Sequence, residues 1–441
     1  MMDGMAREET RTAPRSTATS GATTSDRPGT TAAPPTRAWA TRLVVLGIVL
    51  SALNLRPAIT SLGALLEEVR GGLGMSGGVA GLLTSVPPLC FAVFGVTAPR
   101  LARRFGPVAV VCAGMVAITV GLLVRPYAGG TAGFLAASAL TLMGIAVSNV
   151  LMPVIVKRWF PDRVGSMTGL YSMALALGTS VAAAVTVPVT HAMGGDWRSG
   201  LAVWAGLAAA AVLPWLPLIR DRGPAPAARA TERQARTEPQ APALRITRSR
   251  TAWALAVFFG LQATAAYITM GWMAQIFRDA GVSAGTAGLL LAVTMVMGVP
   301  LAFVIPRLAT RLPHQGPIVL ALGACGLAGY AGLYLAPAGG AWAWALLLGV
   351  SNCAFPLALT MVGMRARTGA GVAQLSAFAQ STGYLISIPG PLLVGVLYQH
   401  SGGWGLPLAL MAALMLPQMA VGVLAGRDRT VEDEAGVEGG A

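Results

Sequence analysis

The sequence predicts an all-α membrane protein in which twelve transmembrane helices form two pseudo-symmetric bundles of six. Three observations support this fold class. Hydrophobic residues make up 55% of the 441 residues and charged residues only 11%, whereas a soluble domain normally carries about 25% charge. Apolar stretches long enough to cross a bilayer recur along most of the chain. Short motifs of the first half also recur, in order, in the second half.

The chain begins with residues 1–38, which are rich in Thr, Ala, Arg, Pro and Gly and contain no apolar run. Such a composition cannot bury enough apolar surface to offset the entropy of ordering, so we predict a disordered tail. The tail also lacks the short apolar segment and cleavage site of a secretory signal. Twelve predicted spans follow, with limits near 43–66, 79–98, 107–126, 131–156, 167–190, 199–219, 251–275, 284–305, 316–336, 341–363, 372–398 and 404–425.

A basic, proline-containing tract separates the first six spans from the last six. We predict that residues 220–250, which hold eight arginines, form a flexible linker. This linker would join a six-helix bundle at 43–219 to a second bundle at 251–425. The remaining residues, 426–441, end in a short acidic stretch. They are predicted to be a tail, and we assign no function to them.

Arginine and lysine are distributed unequally between the two sides of the predicted membrane. The tails and the loops after even-numbered spans hold 26 of the 31 basic residues, and the loops after odd-numbered spans hold four. Because basic loops are retained in the cytoplasm, we predict a multi-pass protein of the inner (plasma) membrane with both termini cytoplasmic. The same distribution accounts for the net charge of +14 without a nucleic-acid partner.

The one remaining basic residue is Arg56, which lies inside the first span in the motif Asn54-Leu55-Arg56-Pro57. At about 1.5 Å per residue it falls near the middle of a hydrocarbon core roughly 30 Å thick. An arginine there costs at least about 2.5 kcal/mol, so such residues usually face a bundle interior or a water-filled cavity. We predict that Arg56 and Asn54 contact a substrate. The alternatives are that Arg56 snorkels to the interface or pairs with a structural carboxylate.

The two halves repeat each other at nearly constant spacing. The matching segments are separated by 203 or 207 residues. The pairs are 147–153 with 350–356, 99–104 with 306–311, 80–83 with 287–290, and Gly-Asp-Trp at 195–197 with Gly-Trp at 403–404. Parallel repeats of this kind place the substrate between the halves, near the midplane.

The six-plus-six pattern, with basic loops after spans 2 and 8, resembles the major facilitator superfamily. Within it, four segments resemble the cyanate/2-nitroimidazole transporter branch: 54–57 (Asn-Leu-Arg-Pro), 98–106 (Ala-Pro-Arg-Leu-Ala-Arg-Arg-Phe-Gly), 355–359 (Phe-Pro-Leu-Ala-Leu) and 383–386 (Gly-Tyr-Leu-Ile). The resemblance covers roughly residues 40–425. It implies the superfamily fold and transport of a cyanate-like anion, a nitroimidazole-like compound or a small organic acid. The chain departs from the superfamily's loop motif at Arg103, where an acidic residue is usual.

Other polar residues within the spans are candidates to line the same cavity as Arg56. Asn149 and Asn352 occupy matching positions in the two repeats, but asparagines at such positions also hold helices together. Span 11 carries a polar stripe with a spacing of four residues, which places its members on one helix face. The predicted lining residues are Asn149 and Asn352, Gln262 and Tyr267 of span 7, and Ser376, Gln380 and Tyr384 of span 11.

One fixed positive charge among neutral hydrogen-bonding groups suits a small anionic or polar solute. We therefore predict a secondary active or facilitative transporter that works by alternating access as a functional monomer in the lipid bilayer. A multidrug exporter of the same superfamily is one alternative, although an intramembrane acid would be more typical of it. A membrane sensor without transport is another. The spans hold no cluster of His, Cys or carboxylates, so we predict no enzyme activity, no catalytic or metal-binding residues and no cofactor.

Overall fold

The computed structural model of the chain describes residues 35–219 and 246–437. All regular structure in these two ranges is helical, and eleven stretches within them are long and apolar enough to cross a membrane. The predicted all-α membrane fold is therefore confirmed. Most of the predicted N-terminal tail and most of the predicted linker lie outside the described residues.

The helices of the first half include four long ones and shorter ones that divide its first and last spans. They are α1 (Pro35–Asn54), α2 (Pro57–Ala64), α3 (Leu66–Leu73), α4 (Gly77–Phe105), α5 (Pro107–Val124), α6 (Thr131–Trp159), α7 (Val164–Ala192), α8 (Trp197–Ala202) and α9 (Trp204–Val212).

The helices of the second half also include long and divided stretches, but the divisions fall at different places in the order. They are α10 (Arg250–Asp279), α11 (Ala284–Val296), α12 (Gly298–Arg311), α13 (Gly316–Leu335), α14 (Ala341–Ser351), α15 (Ala354–Met364), α16 (Gly369–Ser387), α17 (Pro389–Ser401), α18 (Gly405–Ala425) and the short α19 (Val431–Val437).

The sixth predicted span, residues 199–219, is interrupted in the structure. It is divided between α8 and α9, and turns follow α9 from residue 213 onward. Pro214 and Pro217 lie in this region, and a proline both lacks the backbone donor of an α-helix and clashes with the preceding turn. The prediction of twelve spans thus corresponds to eleven membrane-length helical stretches and this interrupted one.

Four of the membrane-length stretches are divided, and each division lies just before a proline. Pro57, Pro300, Pro356 and Pro389 all fall within the first three residues of the helix that resumes after the break. A proline is well accommodated in the first turn of the resumed helix, where an N–H group would have no intrahelical partner. The first of these breaks contains Arg56.

Alternation of the helices defines two faces of the bundle. We call the side where α1 begins and α18 ends the terminal face, and the opposite side, where α3 ends and α10 meets α11, the distal face. The two halves approach each other closely near the distal face, where α4 packs on α17 and α7 packs on α11. A Cβ atom added to Gly288 would lie 2.6 Å from the carbonyl oxygen of Ala183, and one added to Gly81 would lie 2.8 Å from that of Leu392. These contacts require glycine.

Polar contacts also join the halves at the distal face. Arg278 at the end of α10 forms ion pairs with Glu67 at 2.8 Å and Glu68 at 2.9 Å, both on α3. Deeper in the bundle, the indole N–H of Trp272 donates to Thr84 Oγ1 at 3.2 Å. We refer to Arg278, Glu67 and Glu68 as the distal latch. The latch and the glycine contacts together close the distal face.

The short helix α19 lies within the predicted C-terminal tail and packs on the second half. Its Glu434 side chain accepts hydrogen bonds from Ser249 Oγ at 2.6 Å and Thr251 Oγ1 at 2.7 Å, at the start of α10. Glu432 accepts one from the backbone N–H of Arg367 at 3.0 Å. All of these partners belong to the second half, so this part of the tail would move with that half.

Candidate functional site

Arg56 occupies the break between α1 and α2, directly before Pro57. Its carbonyl oxygen accepts hydrogen bonds from the N–H of Ile59 at 2.9 Å and from Thr60 Oγ1 at 3.2 Å. These bonds anchor the Arg56 backbone to the first turn of α2. The residue is only partly exposed. The side chain therefore projects from a backbone that the resumed helix holds in place.

The guanidinium group of Arg56 lies among aromatic side chains. It sits 5.7 Å from the centre of the Phe91 ring, a separation at which a cation is attracted to a ring face. It interacts electrostatically with three tyrosines, Tyr267, Tyr384 and Tyr171. We call these five residues, Arg56, Phe91, Tyr171, Tyr267 and Tyr384, the central cluster.

One guanidinium nitrogen of Arg56, NH1, is buried and has no hydrogen-bond partner. Within residues 35–219 and 246–437, the salt bridges involve other arginines and none includes Arg56. Pairing of Arg56 with a structural carboxylate, one of the alternatives from the sequence, is therefore not seen in the described part of the chain. The cluster offers a cation with an unused donor, surrounded by hydroxyl groups and ring faces.

The central cluster lies on the boundary between the halves. Tyr171 on α7 and Phe91 on α4 come from the first half, whereas Tyr267 on α10 and Tyr384 on α16 come from the second. Phe91 and Tyr384 stack across this boundary with their ring centres 5.1 Å apart. A molecule bound to Arg56 would thus contact both halves.

Besides Arg56, three of the predicted site residues belong to the cluster or contact it. Tyr267 and Tyr384 are members, and Asn149 accepts a hydrogen bond from the Tyr171 hydroxyl. Tyr171 and Phe91 were not predicted. Tyr171 is the one tyrosine of its span, which is a weak signal, and no feature of the sequence pointed to Phe91.

Ser376 and Gln380 lie on the same helix as Tyr384, nearer to the terminal face. The Gln380 amide donates to Ser376 Oγ at 2.7 Å, and both residues are partly exposed. Because the three residues are spaced by four, they share one face of α16. The predicted stripe therefore leads from the terminal face toward the central cluster.

Asn352 and Gln262 lie in a different environment. Together with Ser351 and Gln418 they line a small cavity of about 10 Å³, and all of its lining residues belong to the second half. The Gln262 side-chain oxygen is buried without a partner. The structure thus places Asn149 beside the central cluster and Asn352 in this second-half cavity.

Asn54 uses its side chain to join helices. Its amide nitrogen donates to the carbonyl oxygens of Leu50 at 2.7 Å and Leu207 at 3.1 Å, which links α1 to α9. Both amide hydrogens are accounted for by these two bonds. The residue is almost fully buried and contributes to packing of the first half.

Comparison with known proteins identifies related sequences over most of the chain. A family model described as Major Facilitator Superfamily matches residues 44–388. The chain is 35% identical over 393 residues to the uncharacterized transporter YycB of Bacillus subtilis (strain 168), covering 88% of this chain and 94% of that protein. It is 32% identical over 396 residues to the 2-nitroimidazole transporter of Escherichia coli (strain K12), covering 88% and 96%.

Another relative and the solved structures extend the comparison. The chain is 29% identical over 379 residues to the cyanate transport protein CynX of Escherichia coli (strain K12), covering 86% of this chain and 96% of that protein. The inward open conformation of the xylose transporter XylE from E. coli aligns with a TM-score of 0.71 and 10% identity, covering 90% of this chain and 99% of that one. At this identity the similarity concerns the fold.

Proposed function

Because the chain belongs to the major facilitator superfamily and is a multi-pass membrane transporter of a small solute, we propose that it carries a small anion by alternating access. The observation that carries this proposal is the unpaired cation of the central cluster. The buried NH1 group of Arg56 has no partner, and an anion bound there would receive a charge-assisted hydrogen bond. Binding would also offset part of the cost of burying the charge.

The two faces of the bundle support one orientation in the membrane and one conformational state, open toward the terminal face. The basic residues are concentrated at the terminal face, which by the positive-inside rule favours a cytoplasmic location. The latch and the glycine contacts close the distal face. We infer that the partly exposed residues Arg56, Asn149 and Tyr171 are reached from the cytoplasmic side in this state.

The shape and chemistry of the cluster favour small, flat or linear anions. A guanidinium group presents donors in a planar fork, and Phe91 and Tyr384 supply ring faces beside it. Relatives are named for transport of cyanate and 2-nitroimidazole. We propose Arg56, Tyr267, Tyr384, Tyr171 and Asn149 as the binding residues.

The residues farther from Arg56 have other proposed roles. We place Ser376 and Gln380 along the route from the cytoplasm, because they share a helix face with Tyr384 and are partly exposed. The second-half cavity with Asn352 and Gln262 is a secondary lining site. Asn54 is left out, because both hydrogens of its amide are engaged by backbone carbonyls.

Uptake by purified protein in liposomes tests the substrate class. The panel pairs cyanate, small carboxylates and 2-nitroimidazole with neutral and cationic molecules of similar size. We expect saturable uptake of anions and competition among them. Uptake of cationic drugs without uptake of anions would instead favour the alternative of a multidrug exporter. No uptake of any compound would favour the alternative of a membrane sensor without transport.

A charge introduced beside the cluster should inhibit anion binding. Asn149→Asp keeps an oxygen acceptor for the Tyr171 hydroxyl but adds a negative charge near Arg56. Interaction between unit charges at an effective dielectric constant near 20 is about 2 kcal/mol at roughly 8 Å. We therefore expect the apparent Kd for the anion to rise about tenfold or more, measured by competition in liposome uptake.

Asn352→Asp is the matched control, because it makes the same substitution at the equivalent position of the other repeat. Its cavity is lined by residues of the second half alone, so we expect a smaller rise in Kd. Equal effects of the two variants would show that Asn149 has no special relation to Arg56.

A further inference from the structure

A fully buried arginine lies in the first half, closer to the distal face than Arg56. Arg125 forms the first residue of a short 3-10 turn, Arg125–Tyr127, that follows α5. It is only 2% exposed, whereas the other distal-loop arginines, Arg70, Arg198 and Arg278, are partly exposed. The charge of Arg125 is therefore enclosed by protein.

The contacts of Arg125 leave most of its guanidinium group unsatisfied. NH1 donates to the carbonyl oxygen of Ala58 at 3.1 Å, and the group lies 5.5 Å from the centre of the Phe134 ring. Nε and NH2 are buried and have no hydrogen-bond partner. None of the salt bridges within the described residues includes Arg125. Its positive charge is uncompensated by any described carboxylate.

Arg125 lines a cavity between the first half and α10. Ser138, Thr84 and Tyr267 contribute polar groups to the lining, and the Ser138 hydroxyl oxygen is buried without a partner. Within the cavity, the centre of a molecule the size of water can move through about 20 Å³. One water needs roughly 10–15 Å³ by the same measure, so the cavity has room for a single small molecule or ion.

From this geometry we propose that the Arg125 cavity binds one monovalent anion of about the size of chloride while the distal face is closed. A water molecule could satisfy the free N–H groups but would leave the buried positive charge uncompensated, which is costly. An anion satisfies both requirements, with Nε and NH2 of Arg125 and the Ser138 hydroxyl as donors.

The proposed site is separate from Arg56 but is linked to it through two elements. Tyr267 lines the Arg125 cavity and also neighbours Arg56. Arg125 holds the carbonyl of Ala58, which lies in the first turn of α2, two residues beyond Arg56. The occupant is either a free halide or the transported anion at a second position. The existence of the site does not depend on Arg56 binding the substrate.

Thermal unfolding of the purified full-length protein tests the proposal. Sodium gluconate is replaced by sodium chloride at constant ionic strength, in the absence of any transport substrate. A ligand that binds the native state raises Tm, and we expect a rise of about 2 °C at a tenfold excess over Kd. The rise should be present in the wild type and in Arg56→Gln, and absent in Arg125→Gln. The exposed Arg163→Gln variant controls for loss of a positive charge and should respond like the wild type.

Two further measurements make the result decisive. Ser138→Val keeps Arg125 but removes a donor and fills part of the cavity, so it should weaken the chloride response even if Arg125→Gln does not fold. Titration of Arg56→Gln with cyanate shows which anion occupies the cavity. A rise in Tm with cyanate would place the transported anion there, and a rise with halide alone would identify the occupant as a free halide. An unchanged chloride response in Ser138→Val or Arg125→Gln, or its loss in Arg56→Gln alone, would overturn the proposal.

Discussion

Replacing Arg56 with glutamine is expected to reduce anion uptake strongly while leaving a folded protein. Glutamine keeps donors at this position but removes the charge that pairs with the anion. Hydrogen bonds to charged groups contribute about 1.5–3 kcal/mol each, and 1.4 kcal/mol corresponds to a tenfold change in affinity. We therefore expect uptake at low anion concentration to fall by about a hundredfold, measured with radiolabelled anion in liposomes.

Arg56→Lys separates charge from geometry in the same assay. Lysine retains the positive charge but lacks the planar fork, so we expect weaker binding with uptake still detectable. Size-exclusion profiles and thermal unfolding of both variants show whether the protein remains folded. Near-normal anion uptake by folded Arg56→Gln protein would mean that Arg56 is structural, and the proposed anion site would be abandoned.

A valine at Gly288 is expected to block the transport cycle by a different route. The added side chain would collide with the carbonyl oxygen of Ala183, which lies 2.6 Å from the position of a Cβ atom. Since this oxygen belongs to the backbone of α7, a rotamer change cannot relieve the collision. The halves should then be unable to close at the distal face. We expect uptake to fall to background and cysteines introduced at the distal face to become accessible to membrane-impermeant reagents.

Gly285→Val is the matched control on the same helix, because a Cβ atom at Gly285 meets no atom within 4 Å. Both substitutions replace a glycine of this helix with the same side chain. The control should transport normally and show no new labelling. If Gly288→Val also transported normally, the close approach of α7 and α11 would not be required in the cycle.

The features predicted correctly from the sequence depend on local chemistry. Apolar length is a property of one segment, which is why the spans could be anticipated. The side-chain partners are not local. Asn54 bonds to Leu207 on α9, and Phe91 stacks on Tyr384 of the other half. Such contacts depend on the rotation of each helix about its axis, which the hydrophobic pattern of a nearly uniformly apolar span does not determine.

Matching positions in the two repeats also do not guarantee matching environments. Asn149 lies beside the central cluster through Tyr171, whereas Asn352 lies where α14 is interrupted and lines the second-half cavity. The sequence motif is shared, but the local helix geometry and the neighbouring side chains differ. Repeat symmetry therefore does not by itself determine the surroundings of a residue.

The distal latch bears on whether the carrier exchanges anions or moves them in one direction. In alternating access, the ion pairs of Arg278 with Glu67 and Glu68 must separate each time the distal face opens. Net flux requires the empty carrier to make this transition, whereas exchange requires only the loaded one. A latch that is released mainly when an anion neutralises Arg56 would hold the empty carrier back. The protein would then work chiefly as an antiporter, and its net rate would rise with salt that screens the partly exposed glutamates.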